Sequence, residues 1–114
     1  MKIFLEYVWL DGYKPEPNLR SKVKIVEYEL IKTLKIEDFP IWNFDGSSTN
    51  QAKTGNSDRI LKPVRHYVQD MQSTIYILCE VLNPDGTPHE SNIRAKLEDH
   101  PNNWYGFEQE YTFV

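Results

Sequence analysis

Cysteine is almost missing from this chain of 114 residues: Cys79 is the single one. One cysteine cannot close an internal disulfide, and this one sits in the apolar run 76–82, so a reducing compartment and a buried core position are expected. Positive charge is also short. Thirteen Lys and Arg against seventeen Asp and Glu leave a net charge of −4, so the chain lacks the cationic excess that displaces counterions from nucleic-acid phosphates. No apolar run reaches membrane-spanning length. The stretch at 1–11 is interrupted by Glu6 and has no small-residue cleavage site, and no N-x-[ST] sequon occurs. A cytoplasmic protein with neither nucleic-acid nor membrane partners is expected. No glycine-rich phosphate loop of the P-loop or Rossmann kind is present, so any nucleotide must be bound by another architecture.

What is present is globular in composition. Hydrophobic residues make up 39% and aromatics 13%, which argues against disorder. Residues 3–10 are β-branched, aromatic or aliphatic and predict a strand. A loop with Pro15, Pro17 and Asn18 follows, then an alternating strand over 20–28. Val23 and Ile25 fall on one face, and Lys22, Lys24 and Val26 on the other. The two strands predict an antiparallel hairpin. Residues 29–39 are ambiguous, with a short helical turn expected. A short strand at 41–44 leads into a long loop, 45–58, of the kind that is functional or disordered. Strands are predicted at 59–67, where Pro63 suggests an edge or a bulge, and at 74–82, ended by the turn Asn83-Pro84-Asp85-Gly86. A short helix from an Ser91 N-cap, with Ile93 and Leu97 on one face, and a strand at 107–114 complete the pattern. The order predicts an α+β fold: a mixed sheet with short helices.

Three places carry candidate chemistry. In Trp42-Asn43-Phe44-Asp45-Gly46-Ser47-Ser48-Thr49 a strand ends in an acid, a glycine and hydroxyls. Asp45 could accept a proton or bind a cation at the loop mouth, or the segment could be an Asx or Ser/Thr turn bonding its own backbone. In Glu108-Gln109-Glu110 a strand would place both carboxylates on one face. Such a pair suits Mg²⁺ or Mn²⁺, or is a solvated face. His66, His89 and His100 show no metal-ligand spacing and are expected at the surface. Arg59, Lys62 and Arg65 are scattered charges that call for no special role.

Taken together, the ordered motifs are far more specific. They run Glu6-Tyr7-Val8-Trp9-Leu10-Asp11-Gly12, Leu19-Arg20-Ser21-Lys22, the segment 42–49, Gly55-Asn56-Ser57-Asp58, Leu78-Cys79-Glu80-Val81, Pro88-His89-Glu90-Ser91-Asn92-Ile93-Arg94, and Trp104-Tyr105-Gly106-Phe107-Glu108-Gln109-Glu110-Tyr111. This sequence closely resembles the N-terminal region of glutamine synthetase, in its eukaryotic-like type II branch. The resemblance implies a β-grasp-like domain at 1–100 and the start of a catalytic domain at 101–114, with the chain ending just after the first catalytic-domain strand. That strand would be an orphan here. It implies an ATP-dependent glutamate–ammonia ligase working through γ-glutamyl phosphate, in ring homo-oligomers whose active sites lie between neighbouring subunits. Asp45 then matches the aspartate that binds ammonium and takes its proton across the subunit boundary, and Ser48 lies beside the same site. Glu108 and Glu110 match metal-binding glutamates for Mg²⁺ or Mn²⁺. Glu108 and Trp104 match positions near the ATP. The alternatives are a γ-glutamyl-amine ligase of the same superfamily and a non-catalytic β-grasp interaction module. The chain alone is expected to be inactive.

Overall fold

The computed structural model describes residues 1–31, 33–69 and 73–114. Five strands form one mixed sheet: β1 (Lys2–Leu10), β2 (Leu19–Glu27), β3 (Trp42–Asp45), β4 (Asp58–Val68) and β5 (Thr74–Leu82). The order across the sheet is β2-β1-β5-β4-β3. β1 and β5 run parallel at the centre, and every other pairing is antiparallel. The predicted hairpin forms, with Leu10 opposite Leu19 and Lys2 opposite Glu27. Pro63 marks a bulge: the β4–β5 register shifts between Pro63 and Arg65, where a residue without an N–H breaks the ladder.

The core lies on one face. Ile3, Leu5, Tyr7 and Trp9 alternate inward along β1, and Ile75, Ile77, Cys79 and Val81 do so along β5. The parallel register sets Leu5 beside Ile75 and Tyr7 beside Ile77. Leu61, Phe44 and Val26 add one residue each from the other strands, and Ile31 and Phe39 cover the cluster from the 28–40 connection. That connection holds two short 3-10 turns, Tyr28–Leu30 and Ile36–Asp38. Residue 32 lies outside the described residues.

The sheet curls until its two edge strands meet. Lys22 on β2 donates to the Asn43 carbonyl of β3 at 2.8 Å, and its ammonium lies 3.9 Å from the centre of the Trp42 ring. Lys24 approaches the same ring at 5.0 Å. Trp9 and Phe44 pack with centroids 4.6 Å apart beneath this seam. The curl explains why β2 buries the less obvious face. Lys22, Lys24 and Val26 point inward, the lysines through their aliphatic stems and cation–π contacts. Val23 and Ile25 lie on the outer face, where both are about half exposed.

Two expectations fail. Residues 91–97 form no α-helix, only the 3-10 turn Arg94–Lys96, and Ile93 and Leu97 are exposed. The capping contact comes from Asn92, whose Oδ1 accepts from the Ala95 N–H, not from Ser91. The alternating residues 107–114 form no strand. β propensity needs a neighbouring strand to express it, and no described residue pairs with this segment.

The β1–β2 loop is organised by a buried acid. Asp11 is 2% exposed and accepts from the N–H groups of Tyr13 and Asn18, the Asn18 amide and the Arg20 guanidinium. Burial works to raise its pKa. The donors from Asn18, Tyr13 and Arg20 outweigh it and hold the carboxyl below its ordinary value. Removing the carboxylate orphans all of these donors. At neutral pH Asp11→Ala should therefore cost about 2–3 kcal/mol of unfolding free energy, measurable by urea titration. Because the folded pKa is depressed, this contribution is complete above the unfolded value of about 3.9. It is lost as pH falls through the lower folded value. A gap between wild type and variant as large in acid as at neutral pH would contradict this reading.

Candidate functional site

The long loop after β3 is a compact turn built on one carbonyl. The Gly46 oxygen accepts from the N–H groups of Gln51 (2.8 Å), Ala52 (3.1 Å) and Thr49 (3.4 Å) and from the Thr49 hydroxyl (3.2 Å). The Gly46 N–H donates to the Ser57 carbonyl at 2.7 Å, closing the loop base. Asn50 takes a left-handed φ of 56°, a conformation that Asn tolerates better than most residues. Arg59 clamps the far side. Its Nε donates to the Gln51 carbonyl at 3.1 Å, and its Nη1 to those of Asn56 and Asp58 at 3.2 and 2.8 Å. Arg59 therefore has a structural task that its position among scattered charges did not disclose.

The loop is docked onto the end of β1. The Gly12 N–H donates to the Thr49 carbonyl at 2.9 Å, and the Asn50 amide returns a bond to the Gly12 carbonyl at 3.2 Å. A Cβ on Gly12 would stand 2.3 Å from the Asn50 carbonyl oxygen, so only glycine permits this approach. The Gln51 amide, 3% exposed, donates to the Leu10 carbonyl and to the Ser91 hydroxyl. His89 is buried, contrary to its expected surface place. Its Nδ1 accepts from the Ser91 N–H at 3.1 Å and lies 2.8 Å from the Ser91 hydroxyl. Asn92 is buried too, and donates to the Val81 carbonyl. The 88–92 motif thus locks the loop against β5.

Asp45 stands at the mouth of this structure, exposed to solvent. Its Oδ1 accepts from the Ser47 N–H at 2.9 Å and from the Ser47 hydroxyl at 2.7 Å. The Ser48 hydroxyl donates to the Asp45 carbonyl at 3.3 Å. The segment is thus an Asx turn, which leaves the second carboxylate oxygen, Oδ2, without a bond to Ser47. The Ser47 hydroxyl, its N–H and the Ser57 hydroxyl hold the Asp45 carboxyl below its ordinary pKa. Asp58 faces Asp45 across the β3–β4 ladder, adding a second negative charge to the strand end. Asp45 and Ser48 line an open pocket of about 390 Å³ with Trp9, Arg20, Ser21, Lys22, Phe44 and Thr49. The pocket lies at the seam where the sheet edges meet. The Asp45 carboxylate and the Ser48 hydroxyl share the pocket with Arg20 and Lys22, whose cationic groups are themselves bonded to Asp11 and to the Asn43 carbonyl.

The other candidate residues lie elsewhere. Trp104, Glu108 and Glu110 are exposed on the irregular segment after 100 and line no pocket with Asp45. Glu108 and Glu110 are hard oxygen donors two residues apart, a partial set for Mg²⁺ or Mn²⁺. Among the described residues no group of three His, Cys, Asp or Glu comes together to hold a metal, so a cation on this pair needs further ligands. Cys79 is buried as expected, and burial pushes its thiol up to about 12, which makes it a core residue and not a nucleophile. No helix among the described residues is long and apolar enough to cross a membrane.

If the Ser47 contacts set the charge state of Asp45, Ser47→Ala should move the Asp45 pKa up toward the ordinary aspartate value. Carboxyl ¹³C shifts followed through an NMR pH titration read this directly. An unmoved midpoint would assign the effect elsewhere.

Known proteins share this pattern. The family described as "Glutamine synthetase, beta-Grasp domain" matches residues 1–84. A glutamine synthetase of Bradyrhizobium diazoefficiens is 51% identical over 114 residues, 98% of this chain and 33% of the relative. One from Rhizobium meliloti is 47% identical over 98% of this chain and 34% of the relative. The chloroplastic glutamine synthetase of Chlamydomonas reinhardtii is 42% identical over 96% and 32%. The chain spans about one third of the length of these relatives.

Proposed function

The chain belongs to the glutamine synthetase family, and from that premise we propose that it serves as the N-terminal portion of an ATP-dependent glutamate–ammonia ligase. The observation that carries the proposal is Asp45. Its carboxyl, held below its ordinary pKa by Ser47, stands beside the Ser48 hydroxyl at an open pocket. An ionised carboxylate attracts NH₄⁺ and accepts the proton that ammonium must lose before nitrogen can attack an activated acyl group. No raised pKa is needed for this role, because an aspartate of ordinary or lowered pKa is already charged at neutral pH when ammonium arrives. The Ser48 hydroxyl can accept one of the remaining N–H bonds and orient the nucleophile. Membership of the glutamine synthetase family implies that this site would be completed by a neighbouring subunit in a ring homo-oligomer.

Glu108 and Glu110 act at a second place. They would hold Mg²⁺ or Mn²⁺ together with ligands from the rest of the protein. A divalent cation there neutralises phosphate charge and orients the transferred phosphoryl group of ATP. Glu108 and Trp104 would lie on the nucleotide side. The relatives carry the name glutamine synthetase, which favours ammonia over a larger amine as the nucleophile. The reaction consumes glutamate and ATP and passes through γ-glutamyl phosphate. The expected location is cytoplasmic, although the relative from Chlamydomonas reinhardtii is chloroplastic.

In the full-length enzyme Asp45→Ala should lower ammonia-dependent turnover at least a hundredfold while leaving ATP affinity nearly unchanged. Equal losses in both would remove the proton-acceptor role. Glu110→Gln should shift the metal dependence of activity to higher Mg²⁺ or Mn²⁺ concentration, and an unchanged metal titration counts against that assignment. The 114-residue chain by itself should show no ligase or γ-glutamyl transfer activity.

A further inference from the structure

Gln51 spends a buried amide on a task that the hydrophobic core does not require. Its side-chain nitrogen donates to the Leu10 carbonyl at 3.1 Å and to the Ser91 hydroxyl at 2.9 Å. Its side-chain oxygen is buried with no partner among the described residues. An orphaned buried acceptor costs folding free energy, and an unbranched apolar side chain of similar size would fill the space without it. The backbone of the same residue is equally engaged. Its N–H donates to the Gly46 carbonyl at 2.8 Å, and its carbonyl accepts from Arg59 at 3.1 Å. One residue therefore ties the end of β1, the 88–92 motif and β4 to the peptide that follows Asp45.

We infer that Gln51 is a positioning residue for the ammonium site: its amide sets the height of the loop over β1, and through the Gly46 carbonyl sets where the Asp45 carboxylate and Ser48 hydroxyl stand. This rests on the proposed ammonium role of Asp45. Gln51 touches neither group, and its contribution is geometric. The loop has other anchors, at Gly12 and Arg59, so loss of the amide lets it shift while the domain stays folded. The effect should fall on the one substrate that Asp45 and Ser48 handle.

The test uses the intact enzyme. Gln51→Met keeps the volume and removes both donors together with the orphaned oxygen. Its KM for ammonium should rise about tenfold, with kcat and the KM values for glutamate and ATP within about twofold of wild type. Its melting temperature should fall by a few degrees, because the Leu10 carbonyl and the Ser91 hydroxyl lose their donor, while the domain stays folded. Gln51→Glu supplies the discriminating readout. An ionised glutamate cannot donate to the Leu10 carbonyl, whereas a protonated one can. The ratio of its ammonium KM to that of Gln51→Met, taken at each pH so that ammonium speciation cancels, should fall as pH is lowered. An ammonium KM within twofold of wild type in Gln51→Met, losses spread evenly over all substrates, or failure of both variants to fold would each overturn the inference. If Gln51→Met does not fold, Gln51→Glu against wild type decides, and a flat pH ratio overturns it. Asp45→Asn separates the two levels. If it leaves ammonium use intact, the site reading itself fails. If it impairs ammonium use while Gln51→Met does not, only the positioning role fails.

Discussion

Two stretches of backbone, at Gly12 and at Asn50, approach so closely that no side chain fits between them. Most of the candidate site follows from that contact. The Gly12 N–H and carbonyl are both consumed by the loop, the next residue sends its amide to the Leu10 carbonyl, and the turn closes on Gly46. The loop is thereby an extension of the central strand, although its residues lie some forty positions downstream. Asp45 is thereby tied to β1, whose Ile3, Leu5, Tyr7 and Trp9 lie in the core.

The dipeptide Asp-Gly occurs at 11–12, 45–46 and 85–86, and the first two serve opposite ends. Asp11 and Asp45 are both held below their ordinary pKa by hydrogen-bond donors. At Asp11 the donors surround the carboxylate and bury it, so its charge is spent on shaping the β1–β2 loop. At Asp45 the donors come from Ser47 and Ser57, and the residue stays exposed beside an open pocket. Each following glycine permits a close contact, Gly12 with Asn50 and Gly46 with Ala52, Arg59 and Ser57. The chemistry differs because burial differs, and burial is decided by where each dipeptide falls relative to the curl of the sheet.

Much of the fold was legible from alternation. β1, β2, β4 and β5 lie within one or two residues of their expected places, and the bulge at Pro63 follows from its missing N–H. The errors have physical causes. The inward face of β2 carries two lysines, because the curl brings Trp42 within reach of their ammonium groups, and no pattern within β2 alone contains that. The 91–97 segment has helical spacing but too few apolar contacts to hold a helix. The 107–114 segment has strand spacing and no neighbour. Of the candidate site, Asp45 and Ser48 were visible because acid, glycine and hydroxyls cluster at a strand end. Gln51, Arg59 and His89 were not, since their roles depend on which distant carbonyls and hydroxyls the fold delivers to them.

The turn beneath Asp45 is held mainly by peptide groups: the carbonyls of Gly46, Leu10, Thr49 and Ser57 receive the bonds that shape it. A scaffold written in main chain leaves its side chains free. Ser47 and Ser48 can each be exchanged without dismantling the platform that carries them, so the loop is a place where mutation can change the side chains around Asp45 while the architecture stays constant. Laboratory evolution of the nucleophile preference would start at these positions and leave Gly12, Gly46 and Gln51 alone.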